Sequence, residues 1–167
     1  MIRNDSIDIA MDVRLRRAFS TFPTGVVAVC ALDSDGVTPL GMAVNSFTSI
    51  SLEPALVAIS VANTSRTWPG LSRSTSLGLS VLGSGHEQVS RSLSARDGDR
   101  FQQLSWVAED SGAIHLNGST LWLSCHLEQT IEAGDHSIVL LAIDDLVHFD
   151  DVEPLVFHQS RYRSIGA

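Results

Sequence analysis

In residues 120–131, Leu121, Leu123, Cys125 and Leu127 alternate with Trp122, Ser124, His126 and Glu128, and after Gly134-Asp135 a second apolar run spans 137–143. Period 2 marks a strand with one face buried, and a Gly-Asp pair between two such runs has room only for a tight antiparallel hairpin. This stretch constrains the chain more than any other, because a fold that contains it is built on an antiparallel sheet. A second hairpin is expected from 26–31 and the alternating Leu40, Met42 and Val44, joined by the turn Asp33-Ser34-Asp35-Gly36. Further strands are expected at 56–61 and 77–82, and a short helix at 87–95. An N-terminal helix is expected from an Asp12 N-cap, with Leu15, Ala18, Phe19 and Phe22 on one face to pack against the sheet and Pro23 at its end. Strand-rich order without regular βαβ alternation makes the chain mainly β, an antiparallel barrel with flanking helices. A length of 167 residues fits a single domain, 1–167, and no repeat or linker divides it.

Charge and composition exclude several classes of function. The formal net charge of -8 opposes the phosphate contacts of nucleic-acid binding. All eleven basic residues are Arg, so Schiff-base and P-loop chemistry that requires Lys is absent. No uncharged apolar stretch approaches the ~20 residues that span a bilayer. The charged N-terminus lacks the apolar core of a signal peptide, so no membrane partner is expected and a cytoplasmic location is. Cys30 and Cys125, far apart within apolar strand-like runs, fit buried free thiols better than a disulfide. The six His residues lack metal-ligand spacing, and no metal site is expected.

Gly83-Ser84-Gly85-His86-Glu87-Gln88 follows a strand and opens a helix, as a dinucleotide fingerprint does, but Gln88 stands where a small residue is required and a plain turn is expected. More unusual is the neutral polar ledge Asn45, Ser46, Thr48, Ser49 and Ser51, separated by one apolar strand from Ser60 and from Asn63-Thr64-Ser65-Arg66-Thr67. Two such clusters facing one pocket suit a ligand with a polyhydroxyl chain, a phosphate and a heteroaromatic head. Hydroxyl residues that only cap strand ends and turns give the same composition. His136, by its residues alone, is the first position of a strand after a Gly-Asp turn.

Taken together, Phe22-Pro23-Thr24-Gly25-Val26, GMAVNSFTSISLEP at 41–54, the S-V-A-x-x-S-x-T pattern at 60–67, Asp99-Arg100-Phe101, Gly134-Asp135-His136, and Pro154-Leu155-Val156-Phe157 with Tyr162 resemble the flavin-reductase-like family. The likeness runs through nearly the whole chain in order. It implies an FMN-binding split barrel and a homodimer with flavin near the subunit interface. It also implies hydride transfer from NADH or NADPH to FMN or FAD, with reduced flavin supplied to a partner monooxygenase. By the same likeness Met42, Ala43, Val44, Asn45 and Ser46 lie along the isoalloxazine and ribityl chain. Ser49, Ser60, Val61, Ala62, Ser65, Arg66 and Thr67 hold the ribityl and phosphate part. Thr24, Ser94, Phe101 and Tyr162 complete the flavin site, although Phe101 is equally suited to the core and Tyr162 to covering the barrel end. His136 is implied to position the nicotinamide. Two departures stand out: Leu93-Ser94 replaces the Phe-Ala of many relatives, and Val44 replaces Thr or Ala on the ledge.

Stacked nicotinamide and flavin need positioning and accommodation of developing charge rather than a strong acid, nucleophile or metal, which agrees with the lack of a catalytic triad. Two other functions share these residues: a flavoprotein that retains its flavin and acts on an organic substrate, and a non-catalytic flavin-binding module.

Overall fold

The structure, a computed structural model, describes residues 11–165. In chain order the elements are α1 (Met11–Phe19), β1 (Thr24–Gly25), β2 (Val27–Leu32), β3 (Pro39–Val44), β4 (Thr48–Leu52), β5 (Ala55–Ala62), α2 (Trp68–Leu71), β6 (Leu77–Val81), α3 (Glu87–Leu93), β7 (Trp106–Ala108), β8 (Ile114–Leu116), β9 (Leu121–Ala133), β10 (His136–His148), β11 (Leu155–His158) and β12 (Arg161–Ser164). The chain is mainly β and antiparallel, as its alternation demands. Seven strands form one sheet in the order β3-β2-β6-β9-β10-β5-β4, flanked by the three-stranded β1-β11-β12 and the β7-β8 pair.

Both hairpins form where expected. Gly134 adopts φ +69°, the positive value that the first position of a two-residue hairpin turn needs, and it sets His136 opposite Ala133. In the β2–β3 turn, Asp35 Oδ1 accepts from the Val37 and Thr38 amides at 2.9 and 2.8 Å, and Oδ2 accepts from the Thr38 hydroxyl. These bonds, the hydroxyl first, hold the Asp35 carboxyl below the usual carboxylate range.

One core lies inside the curled sheet. It takes alternate residues of successive strands: Val27, Val29 and Ala31 of β2, Val57, Ile59 and Val61 of β5, Leu77 and Leu79 of β6, Leu123 and Cys125 of β9, and Val139 and Leu141 of β10. The intervening residues Ala28 and Cys30 of β2 face outward into a second core with Leu93, Phe101, Ile114, Leu116 and Leu155. β2 is therefore buried on both faces, which is why it reads as an unbroken apolar run. Glycine admits the β7–β8 layer at its closest approach, since a Cβ on Gly78 would collide with the backbone of Ile114.

The alternation in β9 departs from a simple inside–outside rule. Ser124 is buried although it lies on the expected polar face, because the β7–β8 layer covers that face. His115 stacks on Trp122 with centroids 5.2 Å apart. His115 Nε2 lies 2.9 Å from Glu109 Oε1, which also accepts from Ser124 Oγ at 2.6 Å. Burial pushes the Glu109 pKa up, but hydrogen bonds from Ser124, His115 and Ser111 outweigh it and hold the carboxyl below its ordinary range.

The N-terminal helix differs from expectation. Asp12 lies in the first turn of α1 rather than ahead of it, the helix ends at Phe19, and no α1 residue is buried. Phe19 and Phe22 are 71% and 74% exposed, and Val13 and Leu15 are exposed as well. Among the described residues its apolar stripe covers no sheet, and the outer face of β2 is occupied by α3, Phe101 and β8.

Candidate functional site

The seven-stranded sheet does not close by hydrogen bonds. β3 is an edge strand paired only with β2, and β5 approaches it from the other end of the sheet order without pairing to it. An edge strand leaves a row of backbone N–H and C=O groups without ladder partners. Two side chains bridge the gap. Ser46 Oγ donates to Ser60 O at 3.0 Å and accepts from Ser60 N at 2.9 Å, clasping the segment after β3 to β5. Arg100 Nη1 donates to Gly41 O at 3.0 Å and to Thr67 Oγ1 at 2.8 Å, clasping β3 to the loop before α2.

A cleft of about 830 Å³ opens along this seam. The structure brings into its lining Met42, Ala43, Val44, Asn45 and Ser46 from one wall, and Ser60, Val61, Ala62, Ser65, Arg66 and Thr67 from the other, together with Ser94 and His136. The two clusters that the sequence separates by a strand thus face one pocket, because β5 returns the chain beside β3. Ser46 lines the cleft with its hydroxyl committed to the clasp.

Four expected residues lie outside that lining. Thr24 is on β1, opposite Phe157, with its Oγ1 buried and without a hydrogen-bond partner among the described residues. Ser49 sits exposed on β4, at the far edge of the sheet. Phe101 is only 7% exposed, because its ring packs edge-on against Trp106 in the second core. Tyr162 bonds Ser90 Oγ at 2.9 Å and carries Arg91 over its ring. It borders a side recess of about 210 Å³ that shares Ala43, Val44, Asn45 and Ser94 with the cleft.

Sequence reasoning missed Arg16 and Arg96, which also line the cleft. With Arg66 and Arg100 they give it a positive rim on a chain of net charge -8. Their scatter over α1, two loops and the Asp99-Arg100 segment left no local signal. The Gly83–Gly85 turn is a turn only: His86 N donates to Gly83 O at 2.9 Å, and none of these residues reaches the cleft.

His136 is half-buried beside Ala62, its partner across the β10–β5 ladder. Its Nδ1 lies 2.8 Å from Asp135 Oδ1, so the carboxylate accepts the Nδ1 proton and leaves Nε2 free to meet a ligand. The hydrogen bond from His136, then its charge, holds the exposed Asp135 carboxyl below the usual range. The thiols take no part. Burial pushes Cys30 and Cys125 each up to about 12.

A flavin fits this donor set. The ring system is neutral and rimmed with acceptors and an N–H, matching uncharged walls and an unpaired strand edge. Its phosphate is anionic, matching the arginines at one end. Nothing in the walls requires a buried charge to be neutralised.

Comparison with known proteins agrees with this chemistry. The flavin reductase like domain matches residues 19–166. A flavin reductase of Pseudomonas putida is 36% identical over 152 residues, covering 91% of this chain and 89% of its own length. The reductase subunit of a flavin-dependent monooxygenase from Rhodococcus jostii is 33% identical over 152 residues, covering 91% of this chain and 77% of its own. The structure of a Streptomyces globisporus NADH:FAD oxidoreductase, solved with NAD and FAD fragments, superposes with a TM-score of 0.88 at 34% identity and covers 98% of each chain.

Proposed function

The chain belongs to the flavin-reductase-like family, and from that premise we propose that it is an NAD(P)H:flavin oxidoreductase that reduces FMN or FAD and supplies the reduced flavin to a partner monooxygenase. The observation that carries this reading is the seam itself: a neutral ledge on an unpaired strand edge, an arginine end, and a histidine on the neighbouring strand, all in one open cleft.

Bound flavin supplies the chemistry as a two-electron acceptor from reduced nicotinamide. The protein's share is placement. Residues 42–46 and Ser60, Val61 and Ala62 hold the ring and ribityl chain, with Ser65, Arg66 and Thr67 at the phosphate. With flavin bound, backbone N–H groups on the unpaired edge of β3 would be fixed, uncharged hydrogen-bond donors beside it. Val44 and Ser94, which line both the cleft and the side recess, and Tyr162 in that recess would set the shape of the space at the ring's edge. His136, locked by Asp135, presents Nε2 as a positioning group for the nicotinamide.

β2 contributes to both core clusters, which supports taking 1–167 as one domain. The exposed apolar stripe of Val13, Leu15, Phe19 and Phe22, with Leu52 93% exposed on the edge strand β4, supports a homodimer in which a second copy covers it. Among the described residues no helix is long and apolar enough to cross a membrane. Free buried thiols and the need for NAD(P)H favour the cytoplasm.

The test is a catalytic amount of protein with FMN or FAD in large excess over it and NADH equimolar with the flavin, followed by absorbance without oxygen. Bulk bleaching of free flavin supports the reductase; a tightly retained flavin with slow NADH oxidation favours direct action on an organic substrate, and flavin binding without NADH consumption favours a binding module. Replacing His136 by Ala is expected to raise the half-saturating NADH concentration about fivefold, the worth of one hydrogen bond, with flavin affinity unchanged. No change in either turnover or half-saturation removes the role assigned to it.

A further inference from the structure

The cleft does not end at its arginines. A second groove of about 530 Å³ shares Arg66, Thr67, Arg96 and Arg100 with it and continues past them along Leu40, Pro69 and Arg73. Resting on the flavin reading above, we propose that this groove receives the adenylate half of FAD, with Arg73 and Arg96 holding the second phosphate, so that the enzyme prefers FAD to FMN.

Continuity is the first argument. A flavin whose ring lies on residues 42–46 places its phosphate at the Arg66 and Arg100 end, and whatever is esterified to that phosphate must extend into the groove beyond. Charge is the second. The groove gathers Arg66, Arg73, Arg96 and Arg100 on a protein of net charge -8. Its two carboxylates are engaged locally: Asp33 Oδ1 accepts from Ser34 N at 2.7 Å and Asp99 Oδ1 from Phe101 N at 2.9 Å. Among the described residues Arg91 alone of the arginines forms an ion pair within 4 Å, so Arg73 and Arg96 are in contact with no carboxylate although Asp33 and Asp99 line the same groove. One phosphate uses Arg66 and the free donors of Arg100, whose Nη1 is already committed to Gly41 and Thr67. A second anion is what the remaining two arginines can serve. Shape is the third: Leu40 and Pro69 offer apolar surface to a purine between these charges.

The adenylate of the nicotinamide dinucleotide has the same chemistry, and the experiment separates the two. Dissociation constants for FMN and FAD are measured by the change in flavin fluorescence for the native protein and for Arg73→Ala, an exposed site whose replacement leaves the cores intact. The half-saturating NADH concentration is measured in parallel. FAD is expected to bind about tenfold more tightly than FMN, and Arg73→Ala to weaken FAD about fivefold, the upper range for a solvent-accessible ion pair, with FMN and NADH unmoved. Equal affinity for the two flavins, or an Arg73→Ala variant that binds FAD as before, overturns the assignment. A shift in NADH half-saturation without one in FAD affinity also overturns it and gives the groove to the nicotinamide dinucleotide. Native protein that binds FMN and oxidises NADH keeps the reductase reading through any of these results, whereas failure to bind either flavin overturns both.

Discussion

Replacing Ser46 by Ala removes the one side chain that joins the end of β3 to β5 by two hydrogen bonds. The hydroxyl donates to Ser60 O at 3.0 Å and accepts from Ser60 N at 2.9 Å in a half-buried setting, and β3 and β5 share no backbone ladder there. At about 1 kcal/mol net for each bond the loss is about 2 kcal/mol. For a domain of this size that lowers Tm by about 4–8 °C. The assay is thermal unfolding by circular dichroism at one fixed protein concentration, since self-association would shift Tm by mass action. Because the same clasp fixes the width of the cleft, flavin affinity is expected to fall with Tm. Ser46→Thr, which keeps the hydroxyl, recovers most of both. A Ser46→Ala protein with Tm within about 1 °C of the native value and unaltered flavin binding refutes the clasp, since it would place the net worth of these bonds below the ordinary range.

The Glu109 carboxyl, held below its ordinary value of 4.5 by Ser124, His115 and Ser111, contributes stability that is complete above that value and is lost as pH falls through its lower folded value. The native Tm should therefore drop more steeply below pH 4.5 than that of Glu109→Gln, and parallel profiles would count against it. Gly78→Ala drives a methyl into the Ile114 backbone, so loss of soluble folded protein is expected, against a loss of only about 1–3 kcal/mol for Gly41→Ala, whose Cβ meets the Phe101 ring edge and Cys30 Sγ at 2.7 and 2.8 Å; expression and denaturant unfolding compare the two. With both thiols pushed up to about 12 by burial, a thiol reagent at pH 8 should modify native protein at the rate of unfolding and denatured protein at once.

The long hairpin was legible because period 2 and a Gly-Asp turn are local signals, and β9 and β10 follow them closely. β7, β8 and β11 were not read from the sequence. They are strands of three or four residues, too short for an alternation to show; β7 and β8 pair with each other, and β11 takes Gly25 of β1 as a distant partner. The N-terminal helix shows the opposite case. Its apolar period is plain in the sequence, yet a period says only that a face needs cover and not which surface provides it, and among the described residues none does. On the ledge, composition identified the polar clusters Asn45, Ser46, Thr48, Ser49 and Ser51, and Ser60 with 63–67, whereas the commitment of Ser46 to Ser60 and of Arg100 to Gly41 needed distances.

The amino-acid sequence by itself determined an antiparallel, mainly β chain without Lys, and through its resemblance a flavin chemistry. Those properties rest on residue types and on spacings of two to four positions, which survive in one dimension. Tertiary structure decided which sheet edge stays unpaired, that Arg16, Arg66, Arg96 and Arg100 line the cleft along it, and that Thr24, Ser49 and Phe101 lie outside that lining. The physical reason is that a cleft is made by strands returning from distant parts of the chain, so its walls are neighbours through the backbone's path and not through the order of its residues.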